Sequence, residues 1–181
     1  MSAGTRKFVL TVHLIASLGW LGVVVAYVAL GISAVRAVDP ELVRSAWTAM
    51  ELVGWTVLVP IALASLVTGV LISLGTPWGL FRHYWVLISL ALTVLATAVL
   101  VLHMPSVSTT ARAAREGEAG RLAQLGGDLL HAVGGLVVLL VITALNVYKP
   151  QGLTPYGWRK QQESRAGVSQ SSVATEVRAA R

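Results

Sequence analysis

Residues 76–105 carry the sequence TPWGLFRHYWVLISLALTVLATAVLVLHMP, which is the clearest structural signal in the chain. Its central run, 84–102, contains apolar and small polar side chains and no formal charge. His83 and His103 flank that run. As a helix the distance between them is about 30 Å, which is the thickness of the hydrocarbon core of a bilayer. Turn-forming residues precede the run and Pro105 follows it, so the pattern predicts a membrane-spanning helix that stops at Pro105.

The composition of the whole chain indicates a lipid environment rather than water. Of the 181 residues, 55% are hydrophobic and 12% are charged, which is about half the charged fraction of a soluble domain. There are no cysteines, so disulfides, thiolate metal sites and thiol catalysis are excluded. A net charge of +6 would suggest nucleic acid as the partner of a soluble protein. In a membrane protein the basic residues report topology, and we expect no nucleic-acid partner.

Three further apolar runs have a similar length, which predicts an all-α polytopic membrane protein with a four-transmembrane-helix bundle. The four predicted spans are about 8–35, 52–74, 83–104 and 129–148. Residues 1–7 precede the first span, which is too long for the apolar region of a signal peptide, so we interpret it as an uncleaved helix. Pro60 predicts a kink within the second span, because proline lacks the backbone N–H that a helix needs.

The segments outside the spans predict the topology. Together the spans and their connections make up a membrane domain over 8–150, with an extracytoplasmic loop at 106–127 that holds a short surface helix. Residues 151–181 are expected to form a cytoplasmic and largely disordered tail, because the end of the chain is polar and lacks apolar periodicity. Lysine and arginine residues near the predicted helix ends are divided almost evenly between the two sides of the membrane. Most acidic residues lie on the same side as the loop at 106–127. We therefore expect both termini in the cytoplasm and a multi-pass protein of the plasma membrane.

His103 and His131 are the strongest candidates for chemistry. Each is placed near the outer end of its predicted span, and the two spans are consecutive and therefore expected to be neighbours. Polar side chains within a membrane usually face the interior of the bundle. Gly135 lies one turn from His131 on the same face, where the missing side chain leaves room for a flat group.

The first interpretation of this pair is a haem site. His103 and His131 would be the axial ligands of a haem b, with Gly135 beside the ring, because imidazole binds iron well and four-helix bundles commonly hold haem. The protein would then transfer electrons and exchange them with a quinone or another redox partner.

Two other interpretations remain open. His103, His131 and an acidic residue, Glu51 or Asp128, could bind or transport a divalent cation such as zinc or copper, with Met104 as a soft ligand for copper. Alternatively, the histidines are structural: His131 hydrogen-bonds to Glu51 or Asp128, and His103 caps the last carbonyls of its helix.

His13 is a separate candidate on the first span. It shares a helix face with Ser17, Trp20 and Tyr27, and such a polar face is expected to point into the bundle rather than toward lipid. His13 could ligate a second haem or relay protons. It could also be a buried histidine with one hydrogen-bond partner.

The sequence shows few signs of catalysis. It contains no nucleophile constellation, phosphate-binding loop or dinucleotide motif, so we do not expect a stand-alone enzyme. A face of small residues on the first span, Gly22, Ala26 and Ala29, permits a homodimer or a place in a larger membrane complex. A non-catalytic accessory subunit is therefore an alternative to haem or cation binding.

Three segments of the chain are similar to those of small bacterial membrane proteins. They are VHLIASLGWLG at 12–22, PIALASLVTGVLISLGTPWGLFRHYWV at 60–86 and LNVYKPQGLTPYGWRK at 145–160. Over about residues 8–160 the chain resembles a functionally uncharacterised bacterial family of four-span proteins, and more loosely the membrane domains of copper-resistance and b-type cytochrome families. The resemblance implies a compact four-helix domain in a bacterial inner membrane, with His13, His103 and His131 as the residues of interest. It implies no reaction.

Overall fold

The protein is a bundle of long α-helices. The computed structural model describes residues 1–75, 79–117 and 125–165, and these parts of the chain contain no β-strand. The helices are α1 Ala3–Arg36, α2 Pro40–Val53, α3 Val59–Gly75, α4 Tyr84–Glu116, α5 Leu125–Tyr148 and α6 over 155–165. By length and composition, α1, α2 together with α3, α4 and α5 can each cross a membrane. The prediction of an all-α membrane protein with four spans is therefore confirmed, while the orientation of its termini stays a prediction.

The four spans surround a common core. α1 packs against α3 and α5, and α4 packs against the same two helices. α1 contributes Trp20, Val24 and Tyr27 to the core, and their spacing of three and four residues places them on one helix face. Small residues allow close contact between α1 and α3, where Ala62 is completely buried.

The prediction that Pro105 ends the third span is wrong, because α4 runs through Pro105 and is 33 residues long. A proline inside a helix loses one hydrogen bond and crowds the preceding turn, at a cost of about 3 kcal/mol. Tertiary packing offsets this cost, since the extension beyond Pro105 packs against α2. Its buried residues are Val107, Thr110, Ala111, Ala113 and Ala114. Residues 106–116 are thus helical where a loop was expected over 106–127, and 118–124 lie outside the described residues.

A π-helical turn, Gly54–Leu58, joins α2 to α3. The N–H of Val59 donates to the carbonyl of Gly54, five residues earlier. Pro60 follows at once, and the wider winding accommodates its missing N–H. The structure places this π-helical turn just before the proline, and the kink that Pro60 predicts stays a prediction.

The chain after α5 folds back onto the connection between α3 and α4. The N–H of Thr154 donates to the carbonyl of Arg82 at 3.0 Å, and α6 begins directly afterwards. The expected disordered tail over 151–181 is therefore corrected in its first half, because the backbone hydrogen bonds and α6 order it. Residues 166–181 lie outside the described residues.

We expect Gly157→Val to release α6 from the bundle. A Cβ atom at Gly157 would overlap the carbonyl oxygen of Arg82, and a backbone atom cannot move aside as a flexible side chain can. Gly152→Ala is the matched control, because its Cβ would make an ordinary contact of 3.6 Å with Tyr84. Trypsin should cleave after Lys160 about tenfold faster in the Gly157 variant, if docking is weakened by about 1.4 kcal/mol. Equal cleavage rates in all three proteins would contradict this docking.

Candidate functional site

His103 and His131 meet between α4 and α5. Their imidazole rings are stacked face to face, with 4.1 Å between the centroids and 15° between the ring planes. The structure thus brings together the two histidines that the sequence singles out. The charge-free run of α4 ends at residue 102, so the pair lies at the edge of the hydrocarbon core.

Asp128 completes this cluster. Its Oδ1 atom lies 2.7 Å from Nε2 of His103, and the residue is only 6% exposed. Asp128 stands in the first turn of α5, where the helix dipole stabilises a negative charge. The contact is close, but its geometry is not that of a well-aligned hydrogen bond. The histidine–aspartate contact therefore ties α4 to α5 at this end of the bundle.

A cavity of about 320 Å³ adjoins the cluster, and we call it the histidine cavity. Helices α1, α4 and α5 and Leu58 of the π-helical turn form its walls, which consist almost entirely of apolar side chains. Representative wall residues are Trp20, Val24, Leu100, Val107, Val138 and Leu139. Gly134 and Gly135 also line it, and a Cβ atom at either glycine would meet no described atom within 4 Å. Gly135, which the sequence singled out, therefore borders open space beside His131.

Tyr27 is a polar residue of the cavity wall that sequence reasoning did not assign to the site. It is 7% exposed, and its hydroxyl has no hydrogen-bond partner among the described residues. Burying a hydroxyl without a partner costs about 1–3 kcal/mol. The Tyr27 hydroxyl lies beside Gly54 and the side chain of Met104. The signal in the sequence was the inward-facing polar stripe of α1, which includes Tyr27.

Two of the predicted metal ligands have other contacts. Glu51 accepts a hydrogen bond of 2.8 Å from Arg115, which joins α2 to the extension of α4. Met104 is 1% exposed and packs against the backbone of Gly54 in the π-helical turn. Within 1–75, 79–117 and 125–165, no group of three histidine or acidic side chains is arranged to hold a metal ion. The cation site therefore stays a prediction.

His13 lies apart from the histidine cavity, between α1 and α3. Its Nδ1 atom is 3.1 Å from the carbonyl oxygen of Ser65 and 3.1 Å from Oγ1 of Thr68. The Thr68 hydroxyl donates to a carbonyl of its own helix, so we assign the proton of this contact to Nδ1. Along α1, His13 is about 21 Å from Tyr27. These contacts support the structural interpretation of His13 as a buried histidine that joins two helices.

The chain was compared with protein-family models, with curated proteins and with solved structures. None of the three comparisons gave a match. The resemblance to a bacterial four-span family therefore stays a prediction. The geometry of the histidine cavity is therefore the basis for the function proposed below.

Proposed function

We propose that this integral membrane protein binds a small lipid-soluble molecule in the histidine cavity. The observation that carries the proposal is an apolar space that ends at a buried ionisable cluster, His103 with Asp128. Ligand pockets have this composition: mostly apolar walls and a few polar groups that orient the ligand, in volumes of about 300–1,000 Å³. An ionisable pair at the edge of a membrane core is costly and usually marks function.

The size of the cavity supports an occupant. Protein interiors are packed as densely as organic crystals. A space of about 320 Å³ that nothing filled would deprive its apolar walls of many dispersion contacts. A bound molecule that fills the space regains those dispersion contacts.

The bilayer gives access to this cavity. Three apolar residues of its lining have substantial accessible surface: Leu95 is 56% exposed, Val99 43% and Leu130 71%. Since such residues face lipid in a membrane protein, the cavity opens toward acyl chains. A molecule that partitions into the membrane can therefore enter from the side.

A haem b held by His103 and His131 is the rival proposal, since a haem is also flat and lipid-soluble. Two axial imidazoles must present nitrogens to opposite faces of one iron. The two rings are stacked and nearly parallel, so as arranged they do not fit that role. We expect no Soret band in oxidised or dithionite-reduced protein from haem-supplied cells. A Soret band that is lost in His103→Ala and in His131→Ala would instead establish the haem.

Gly135→Leu should abolish ligand retention, because its side chain would extend into the histidine cavity from a position where a Cβ atom meets no described atom within 4 Å. Gly22→Leu is the matched control: a Cβ atom there also meets no described atom within 4 Å, and the residue does not line the cavity. Organic extracts of the proteins purified in mild detergent should be compared by mass spectrometry.

In that comparison, wild type and the Gly22 variant should yield the same discrete lipid-soluble compound, at about one molecule per protein chain. The Gly135 variant should yield at least about tenfold less, because Leu removes the volume in which the compound binds. Identical extracts from all three proteins would contradict the proposal.

A further inference from the structure

We infer, independently of the ligand proposed above, that α6 and the end of the bundle to which it docks form a surface that binds the headgroups of anionic phospholipids. This surface lies at the opposite end of the spans from His103 and His131, so it is separate from the histidine cavity. The depth at which α6 docks, the residues along α6 and the charge of this end of the bundle all favour such a partner.

α6 is held at the edge of the hydrocarbon core. The N–H of Tyr84 donates to the carbonyl of Gly152 at 3.3 Å, and the hydroxyl of Thr154 donates to the carbonyl of Phe81. Because the charge-free run of α4 begins at Tyr84, these bonds fix the start of α6 at the depth where that run enters the membrane. A helix over 155–165 that contains charged residues is too short and too polar to cross the bilayer. It therefore lies in the interface.

Each flank of α6 combines an aromatic ring with a basic side chain. Gly157 is buried against the chain that leads into α4, so it marks the face of α6 that contacts the bundle. Tyr156 and Trp158 lie on either side of that face and are 45% and 55% exposed. At about 100° per residue, Lys160 shares the flank of Tyr156, and Arg165 shares the flank of Trp158. Such rings lie at the level of the headgroups, where long basic side chains beside them reach the phosphates.

The end of the bundle that α6 joins is strongly basic. It is the end at which α1 begins, because a Cβ atom at Gly75, the last residue of α3, would contact Met1. Its only acidic residue in the described parts of the chain is Glu163, which pairs with Lys160 at 2.9 Å in an exposed contact of little strength. The basic residues at this end are Arg6, Lys7, Arg82, Lys149, Arg159, Lys160 and Arg165. Basic clusters of this size beside a membrane span attract anionic lipids.

The opposite end of the bundle has a mixed charge. Its described basic and acidic residues are nearly equal in number: Arg36, Arg44, Arg112 and Arg115 against Asp39, Glu41, Glu51, Glu116 and Asp128. Some of them pair with one another, as Arg115 does with Glu51. Anionic headgroups are therefore attracted to the α6 end more strongly than to this one.

Quenching of Trp158 fluorescence in vesicles tests the inference. The full-length protein is reconstituted in equal parts of phosphatidylglycerol and phosphatidylcholine with identical acyl chains. One lipid at a time is brominated near its headgroup, because bromine quenches tryptophan on contact. The contribution of Trp158 is the difference between wild type and Trp158→Phe. It should report a local ratio of phosphatidylglycerol to phosphatidylcholine at least about fivefold above that of the vesicle. Sodium chloride at about 1 M should lower this ratio, because the Debye length falls to about 3 Å.

Two triple variants identify the residues responsible. The first replaces the three basic residues of α6: Arg159→Gln, Lys160→Gln and Arg165→Gln. It should lower the local lipid ratio at least about threefold, because each basic residue near the surface contributes to the attraction. The second is the matched control and removes the same charge from the exposed surface of the opposite end: Arg36→Gln, Arg44→Gln and Arg112→Gln. It should leave the ratio at Trp158 unchanged.

The contrary results are specific. If neither brominated lipid quenches Trp158, α6 lies away from the bilayer and the inference is wrong. Equal quenching by the two lipids in wild type would overturn the anionic headgroup as the partner. Equal quenching together with saturable binding of single-stranded RNA would assign the basic surface to nucleic acid instead. A preference that survives the α6 triple variant would overturn the role of these three residues. Gly135→Leu should not change the ratio, so the outcome is independent of the ligand in the histidine cavity.

Discussion

Trp47→Ala should lower the free energy of unfolding by about 3–5 kcal/mol, the range for a tryptophan removed from a packed core. Trp47 is 1% exposed on α2, which packs on the extension of α4 beyond Pro105. Its indole N–H has no hydrogen-bond partner among the described residues. Removing that unsatisfied group offsets a small part of the lost packing energy, so we expect a loss of about 3 kcal/mol, at the lower end of the range.

Trp55→Ala is the control for this prediction. Trp55 is 43% exposed and donates one hydrogen bond to Oγ of Ser108, at 3.0 Å. Its removal should cost only about 1 kcal/mol. Denaturant unfolding in a mild detergent, followed by circular dichroism, gives both values. If the two variants lose the same stability, α2 and the α4 extension do not form the packed layer described above.

Asp128→Ala should have the second-largest effect, a loss of about 1.5–3 kcal/mol, as for hydrogen bonds and ion pairs to charged groups. The substitution removes the carboxylate that lies 2.7 Å from His103 and that ties α4 to α5. It also frees the His103 ring to rotate out of its stack with His131. We therefore expect weaker ligand retention in addition to lower stability.

Two further variants separate charge from packing at this position. Asp128→Asn keeps the shape and one acceptor, so its stability should lie between those of wild type and Asp128→Ala. Glu41→Ala removes an exposed carboxylate that pairs with Arg44 at 3.3 Å, and should cost less than about 0.5 kcal/mol. Thermal unfolding in the same detergent measures all of them. If Asp128→Ala and Glu41→Ala unfold at the same midpoint temperature, the contact between Asp128 and His103 does not contribute to stability.

The four spans were predictable because their signal is local and large. A charge-free run such as 84–102 leaves a helix in lipid as the only way to satisfy every backbone group. The end of α4 was not predictable, because the local effect of Pro105 competes with the burial of residues such as Val107 and Ala111 against α2. Only the tertiary structure shows that burial prevails over the cost of the proline.

The candidate site was predictable only in part for a similar reason. The position of His103 and His131 on consecutive helices made their proximity a reasonable expectation. The partner of Glu51 was not foreseeable, since Arg115 lies 64 residues further along the chain. The histidine cavity and the unpartnered hydroxyl of Tyr27 depend on volumes left between three helices, and no sequence pattern encodes those volumes.

A density map of the protein purified directly into lipid nanodiscs would show whether the histidine cavity holds a ligand. We expect non-protein density in the histidine cavity of wild type, against Gly134 and Gly135 and reaching His131. The Gly135→Leu variant should lack that density while keeping the same helix positions. A wild-type map in which side chains close the space, with no density between α1, α4 and α5, would contradict the proposal that this protein binds a lipid-soluble molecule there.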